Sequence, residues 1–295
     1  MDFILGIDGG GTSCRAALAM PDGRVLARAS SGAANIRTDL TNARTHIVEA
    51  AQRAFTEAGH DPGLVARTPA VLGLAGANVG TYRQQLQAIL PFRESQVESD
   101  AEIALEGAVG SGDGAIAVLG TGSAYRVRRG GVSRPIGGWG FQVGDQASGA
   151  RIGRDLLEQT LLAYDGICEA SPLTREIMAV FRDNPEDVVE FTVAAKPGDY
   201  GGFAPKVFEH AAQGDAVARH IVSKAVADVE AALGALDLRD GDVLCLLGGL
   251  AGLYAPLLAP RYRALLGQPQ GDALSGAVRM AARFFGTAAA EAVDG

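Results

Sequence analysis

Lysine is scarce in this sequence: the 295 residues include Lys196, Lys206 and Lys224 and no others. With 26 basic and 34 acidic residues the formal net charge is −8, so no basic patch of the kind that binds nucleic acid is expected. None of the three lysines follows a glycine, which excludes a Walker A loop, and no G-x-G-x-x-G segment opens a helix. We therefore expect a small ligand held by backbone amides rather than a polynucleotide.

Cysteine is also rare, with Cys14, Cys168 and Cys245 far apart in the sequence. An odd number of cysteines, without a C-x-x-C pair or a histidine at zinc spacing, excludes a disulfide framework and a zinc site. We predict reduced thiols in a cytoplasmic protein. The first residues lack the basic region and long apolar stretch of a signal peptide, so we expect no export.

One uncharged run, residues 243–260, approaches the length of a membrane span. Three glycines and two prolines interrupt it, which favours a buried strand, a glycine turn and a short helix. We therefore expect no membrane partner.

Apolar runs and turn residues predict an α/β protein with two similar halves. The first half has the order βββαβαβ, and the pattern begins again at residue 115 with strand, glycine turn and hairpin, followed by helices. We predict domains at 1–112 and 113–276, with a C-terminal helix at about 277–295 that packs back on the first. The predicted strands are 3–7, 14–20, 24–29, 69–75, 95–99, 115–119, 124–129, 132–136 and 243–247, and the predicted helices are 41–58, 79–90, 147–164, 173–181, 185–194, 216–236 and 277–285.

The first candidate ligand site is the turn Asp8, Gly9, Gly10, Gly11 and Thr12 between the first two strands. Glycine lets the backbone approach a phosphate closely, and a threonine hydroxyl can donate to it. The carboxylate of Asp8 is suited to hold a hydrated Mg²⁺. The alternative is a tight hairpin turn that binds nothing.

The matching turn of the second half is Gly120, Thr121, Gly122 and Ser123. Because both turns follow the first strand of their half, we predict that both bind phosphate, with plain hairpin turns as the alternative. A further pair of glycines, 248–249, follows the strand at 243–247. A nucleoside could lie flat on that backbone, or the pair could simply be a turn that starts a helix.

Two carboxylates are candidates for chemistry. Asp100 follows the strand 95–99 at its carboxyl end, where it could take a proton from a hydroxyl that attacks a γ-phosphoryl group. The alternative is the N-cap of a helix that begins near Glu102. Asp145, in the glycine-rich run 137–149, could contact a sugar, fix the local structure or cap a helix.

Taken in order, these motifs resemble the superfamily of sugar kinases, heat-shock ATPases and actin, in the branch of N-acetylglucosamine kinases, glucosamine kinases and BadF/BadG/BcrA/BcrD ATPases. The resemblance covers essentially the whole chain. It implies two ribonuclease-H-like (actin-like ATPase) domains, each with a mixed βββαβαβ sheet, and an active site in the cleft between them. Its carriers are GIDGGGT at 6–12, SGAANI at 31–36, SDA at 99–101, GTGS at 120–123, GWG at 138–140, GDQASG at 144–149 and GG at 248–249.

The resemblance also implies roles for particular residues. It implies MgATP as the cofactor, bound by the two glycine turns, with Asp100 as the general base and sugar contacts from Asn35 and Asp145. The predicted site residues are Asp100 for catalysis; Gly9, Gly10, Gly11, Thr12, Thr121, Gly122, Ser123, Gly248 and Gly249 for ATP; Asn35, Asp100, Gly138 and Asp145 for the substrate; and Asp8 for Mg²⁺.

Within that branch, residues 6–16, 199–205 and 270–277 resemble segments of bacterial D-glucosamine kinases, whereas the GWG segment is typical of N-acetylglucosamine kinases. We predict an ATP-dependent kinase that phosphorylates the 6-hydroxyl of a small amino sugar, D-glucosamine, with N-acetylglucosamine as the alternative acceptor. A homodimer is compatible with this prediction.

Two alternatives belong to other classes. A BadF-type ATPase activator would need thiolates close together at a subunit interface, which three scattered cysteines disfavour. A sugar sensor without catalysis should lack the base, whereas this chain has Asp100.

Overall fold

The computed structural model describes residues 2–78 and 80–286, and the chain falls into two compact units. Of the described residues, the first unit takes in those up to Gly114, the segment Arg129–Ser133 and those from Gln268 to Gly286. The second unit takes in Ala115–Arg128 and Arg134–Gly267. These units do not test whether each predicted domain folds on its own. The domain boundaries predicted from the sequence therefore stay a prediction.

The sheet of the first unit has five strands in the order β3-β2-β1-β4-β5. The first three strands, β1 (Ile4–Gly9), β2 (Cys14–Ala19) and β3 (Val25–Ser31), form an antiparallel meander. Strand β4 (Ala70–Leu74) runs parallel to β1, and β5 (Ser95–Ser99) runs parallel to β4. The predicted order βββαβαβ is therefore confirmed for this unit.

Helices cover both faces of this sheet, and the alternation of side chains along β1 explains which residue meets which helix. Leu5 and Ile7 pack with α1 (Leu40–Glu57), whereas Ile4 packs on the other face with α12 (Ala273–Phe285). Successive side chains of a strand point to opposite faces, so Asp8 shares the α12 face with Ile4. The other helices of this unit are α2 (Tyr82–Gln87), α3 (Asp100–Val109) and a 3-10 helix at Pro62–Arg67.

The sheet of the second unit has the order β8-β7-β6-β9. Its strands are β6 (Gly114–Leu119), β7 (Ser123–Arg129), β8 (Val132–Gly137) and β9 (Leu244–Leu247), which runs parallel to β6. The helices are α4 (Gly149–Tyr164), α5 (Pro172–Val180), α6 (Pro185–Ala194), α7 (Pro197–Gly201), α8 (Ala204–Ala212), α9 (Ala216–Ala235), α10 (Ala251–Tyr254) and α11 (Pro260–Arg263). A single parallel bridge from Leu244 to Leu266 lies where a fifth strand would pair. The two mixed sheets confirm the α/β class. In the second unit, this bridge stands in place of the last strand of the order βββαβαβ.

Most predicted elements lie within two residues of the observed ones, and 95–99 and 185–194 coincide with β5 and α6. The observed helix α2 is shorter than the predicted helix 79–90, whose first residue lies outside the described residues. The C-terminal helix is described as far as Phe285, and 287–295 lie outside the described residues. The run 243–260 forms a strand, a turn and short helices as predicted, and no helix within 2–78 and 80–286 could cross a membrane.

Helix α12 approaches β1 and α3 so closely that only glycine fits at the contacts. A Cβ atom at Gly6 would lie 2.6 Å from the backbone nitrogen of Val278. A Cβ at Gly276 would lie 1.9 Å from the carbonyl oxygen of Ile103, and one at Gly107 would lie 2.1 Å from that of Asp272. Backbone meets backbone at these three points, which fixes the start of α12 relative to β1 and α3.

We predict that Gly276→Ala lowers the free energy of unfolding by roughly 1–3 kcal/mol, although alanine is the better helix former, because the two helices must separate. The matched control is Gly112→Ala, where an added Cβ meets nothing within 4 Å and the change should stay within about 0.5 kcal/mol. Denaturant unfolding of both variants measures the difference. Equal stability of Gly276→Ala and the parent chain would contradict this description of the contact.

Candidate functional site

The first glycine turn is a hairpin with an exposed backbone. Its strands pair Asp8 with Arg15 and Gly9 with Cys14, and the amide of Gly10 donates to the carbonyl of Ser13 at 2.9 Å. A Cβ at Gly9 would lie 2.6 Å from Leu74, whereas one at Gly11 would meet nothing within 4 Å. Gly9 is therefore required by packing, and Gly11 leaves an open approach to the backbone.

Two neighbouring loops are hydrogen-bonded to this turn. The amide of Ala34 donates to the carbonyl of Gly10 at 2.9 Å, and that of Ala75 donates to the carbonyl of Gly9 at 2.8 Å. These bonds bring Asn35, a predicted substrate residue, next to the turn. Its Oδ1 accepts from the amides of the next loop residues, Arg37 at 3.1 Å and Thr38 at 3.3 Å, so Nδ2 is the part of the side chain suited to donate outward.

Asp100 lies at the same edge of the sheet as the turn. Gly9, Leu74 and Ser99 are in register across β1, β4 and β5, so the first and last lie about 10 Å apart at the usual strand spacing. Asp100, the next residue, is exposed at the first position of α3. The helix dipole stabilises a negative charge at that position.

The capping interpretation of Asp100 is wrong, because the N-cap is Ser99. The Ser99 hydroxyl accepts from the amide of Glu102 at 3.2 Å, and the helix begins at Asp100 rather than near Glu102.

The Asp8 carboxylate has a partner that the sequence analysis did not identify. Arg15 donates to Asp8 Oδ2 from Nη2 at 2.5 Å and from Nε at 3.2 Å, and the Asp8 side chain is 17% exposed. Burial lowers the pKa of Arg15, but the hydrogen bond and the charge of Asp8 outweigh it and raise that pKa above its usual value. The predicted hairpin could have placed Arg15 opposite Asp8, since strand pairing follows from the turn.

The second glycine turn is held on the N-terminus of α4. The amides of Gly149 and Ala150 donate to the carbonyls of Gly120 and Thr121 at 2.7 and 3.2 Å. The two predicted hydroxyl donors differ: Thr121 is exposed, whereas the buried Ser123 hydroxyl donates to the carbonyl of Gln146 at 2.7 Å. Thr121 is therefore available to a ligand, and Ser123 secures the loop.

Asp145 reaches the second turn from the glycine-rich run. It has a φ of 56°, its Oδ1 accepts from the amide of Gly140 at 3.2 Å, and its Oδ2 lies 2.9 Å from where a Cβ of Gly122 would be. Its capping interpretation is wrong, since Ser148 is the N-cap of α4 and accepts from Arg151. The amide of Gly138, another predicted substrate residue, donates to the carbonyl of Ser123 at 3.2 Å.

The glycine pair after β9 lies beside the second turn, because β9 runs parallel to β6. Gly248 has a φ of 91°, and a Cβ there would lie 2.5 Å from the carbonyl oxygen of Leu119. Gly249 is exposed, and a Cβ there would meet nothing within 4 Å. Both glycines are exposed, but only at Gly249 is the space around an added Cβ open.

The predicted site residues are thus brought together within each unit. In the first unit Asp8, Asn35, Asp100 and the first turn lie at the carboxyl edge of the parallel strands. In the second unit Gly138, Asp145 and Gly249 surround the second turn. The predicted cleft between two domains stays a prediction.

The chain belongs to the BadF/BadG/BcrA/BcrD ATPase family, whose model matches residues 5–259. It is 36% identical over 284 residues to the glucosamine kinase GspK of Vibrio cholerae, covering 96% of this chain and 97% of that protein. An N-acetyl-D-glucosamine kinase of Dictyostelium discoideum is 28% identical and is matched over 75% of both chains.

The fold is also found in solved structures. A crystal structure of a proposed N-acetylglucosamine kinase from Chromobacterium violaceum has 32% identity and a TM-score of 0.86, over 94% of this chain and 98% of that one. The actin-like ATPase fold implied by the sequence motifs is confirmed.

We predict that Gly248→Ala and Gly249→Ala differ in stability. Alanine at 248 is strained by its positive φ and by the Leu119 carbonyl, which should cost about 1–3 kcal/mol of unfolding free energy. Alanine at 249 should change it by less than about 0.5 kcal/mol. Thermal or denaturant unfolding compares the two, and equal losses would contradict the open surface assigned to Gly249.

Proposed function

We propose that this protein is an ATP-dependent amino-sugar kinase that transfers the γ-phosphoryl group of ATP to the 6-hydroxyl of D-glucosamine. The observation that supports the proposal is that Asp100, Asn35 and the open glycine turn all lie at one edge of the sheet. The likeness to the Vibrio cholerae glucosamine kinase over nearly the whole chain supports the amino sugar as the acceptor.

The residues of both turns fit a magnesium nucleotide. Gly10, Gly11 and Thr12 are at least partly open to solvent, and a Cβ at Gly10 would have no neighbour closer than 3.6 Å, so their backbone can approach phosphate oxygens. Asp8 would hold Mg²⁺ through Oδ1, because Arg15 takes Oδ2. Mg²⁺, when bound, would neutralise charge on the phosphates.

The second unit would contribute the remaining contacts with the nucleotide. Thr121 offers an exposed hydroxyl, and the backbone around Gly122 would meet phosphate from another direction. Gly249 would leave room for the nucleoside to lie against its backbone. This assignment requires the two turns to act on one nucleotide in the cleft predicted from the sequence.

Asp100 would act as the general base. Its carboxylate takes the proton of the sugar 6-hydroxyl as that oxygen forms a bond to the γ-phosphorus, while the bond from γ-phosphorus to the β,γ-bridging oxygen breaks and ADP leaves. The exposed position of Asp100 on a rigid helix suits this role. Positioning by Asn35 Nδ2 and Asp145 would orient the sugar for in-line attack.

Recognition of the 2-amino group is the finer part of the proposal. Glucosamine carries an ammonium group at this position, for which the Asp145 carboxylate is a suitable partner. The next residue, Gln146, is uncharged, so Asp145 is the carboxylate of the segment 144–149. N-acetylglucosamine remains the alternative acceptor. A cytoplasmic location is part of the same proposal, and a homodimer is compatible with it.

The activator alternative is disfavoured by the cysteines. Cys14 and Cys245 are buried in strands β2 and β9. Burial, reinforced by the charge of Asp8, raises the pKa of the Cys14 thiol to about 12, so it is a poor thiolate ligand.

The proposal is tested by measuring ATP consumption with Mg²⁺ and glucosamine, N-acetylglucosamine, glucose or no sugar. We expect turnover with glucosamine well above the rate without sugar. Preference for the acetylated sugar would move the acceptor to the alternative. Hydrolysis independent of sugar would favour the activator, and sugar binding without turnover would favour the sensor.

We predict that Asp100→Asn lowers kcat by about 10²–10⁴-fold and leaves the Kd for MgATP nearly unchanged, because only the proton acceptor is lost. The matched control is Glu102→Gln, which removes a charge from the same first turn of α3 and should retain most of the activity. Steady-state kinetics and calorimetry measure both variants. An Asp100→Asn enzyme with nearly full kcat would exclude Asp100 as the base.

A further inference from the structure

The guanidinium of Arg15 bridges two carboxylates from opposite ends of the chain. Its Nη2 and Nε donate to Asp8 Oδ2, and its Nη1 donates to Asp272 Oδ2 at 2.9 Å. All three side chains are partly accessible, with 17%, 42% and 43% of Asp8, Arg15 and Asp272 exposed. Asp8, Arg15 and Asp272 therefore lie at the rim of the first glycine turn and not in the core.

The fold explains why these residues meet. Asp8 and Arg15 are paired on the face of the sheet that α12 covers, and Asp272 is the N-cap of α12. Gly107 holds the backbone of Asp272 against α3, and Gly6 holds the backbone of Val278, in the second turn of the helix, against β1. Asp272 is thus presented to Arg15 from a fixed position.

Asp272 uses its two oxygens for different purposes. Oδ1 accepts from the amide of Ser275 at 2.9 Å and from its hydroxyl at 2.6 Å, which caps the helix, whereas Oδ2 accepts from Arg15. Partial burial raises the pKa of Asp272. The Ser275 hydrogen bonds and the charges of Arg15 and Arg28 outweigh this effect and lower the pKa below its usual value. Asp272 is therefore charged at neutral pH.

We propose that Asp272 is a positioning residue for the metal site: it holds Arg15 so that Arg15 occupies only Oδ2 of Asp8 and leaves Oδ1 to face Mg²⁺. This inference rests on the proposed role of Asp8. Two effects follow from the geometry. Asp272 neutralises Arg15, which would otherwise repel the cation, and it fixes the rotation of the Asp8 carboxylate.

The probe is Mn²⁺, whose binding in the presence of a non-hydrolysable ATP analogue is followed by electron paramagnetic resonance. Asp272→Asn should weaken Mn²⁺ binding about three- to tenfold, because the charge of Arg15 is then no longer neutralised and its guanidinium is held less firmly on Oδ2 of Asp8. Asparagine is as good an N-cap as aspartate, so α12 should remain intact. Thermal unfolding without metal checks that it does.

Two control variants separate charge from capping. Ser275→Ala removes the capping partner of Asp272 but keeps the contact with Arg15, and it should leave Mn²⁺ binding within about twofold of the parent chain. Asp61→Asn makes the same chemical change at the N-cap of the 3-10 helix, and it should also leave Mn²⁺ binding unchanged. A loss in Ser275→Ala equal to that in Asp272→Asn would overturn the inference.

A double-mutant cycle with Arg15→Met tests whether Asp272 acts through Arg15. If it does, Asp272→Asn should change Mn²⁺ affinity much less in the Arg15→Met background than in the parent chain. An undiminished effect in that background would show a direct charge effect and would overturn the positioning role. Arg15→Lys, which keeps one cation but cannot bridge two carboxylates by parallel bonds, replaces Arg15→Met if the latter fails to fold.

The outcomes also distinguish this inference from the proposed function. A parent chain that binds neither metal nor nucleotide would contradict the proposed function itself. A parent chain that binds both, with an Asp272→Asn variant that binds Mn²⁺ equally well, would contradict only the role of Asp272.

Discussion

The close approach of backbone to backbone around α12 is the constraint on which the first unit depends. Three glycines, Gly6, Gly107 and Gly276, let this helix from the far end of the chain lie directly against β1 and α3. Side chains at these positions would push the helix away from β1 and α3, and its N-cap would no longer reach Arg15. Packing and the electrostatics of Asp8 are therefore set by the same contacts.

Both units build their glycine turn in the same way, although the details differ. Each has a glycine turn between its first two strands, and in each a neighbouring segment is hydrogen-bonded to the turn. In the first unit the loop with Asn35 and the segment after β4 do this. In the second unit the N-terminus of α4 is bonded to the turn, and these bonds use the amides of Gly149 and Ala150 and the carbonyls of Gly120 and Thr121.

Local features of the sequence predicted much of this arrangement. The hairpin at Asp8, the glycine turn at Gly120 and the strand that ends before Asp100 depend on nearby residues, and all three lie where predicted. The side-chain orientation of Ser123 and the left-handed backbone at Asp145 depend on tertiary contacts and could not be predicted. The contact of Arg15 with Asp272 joins residues 257 positions apart, which no local pattern indicates.

Under the proposed function, the two glycine turns hold a single magnesium nucleotide. Hydrogen exchange of the backbone amides, with the bound stoichiometry measured in parallel, tests it most directly. With Mg²⁺ and a non-hydrolysable ATP analogue, we expect one nucleotide per chain and slower exchange at residues 9–12 and 120–123 together. Protection confined to one of the two turns, or two nucleotides bound per chain, would contradict it.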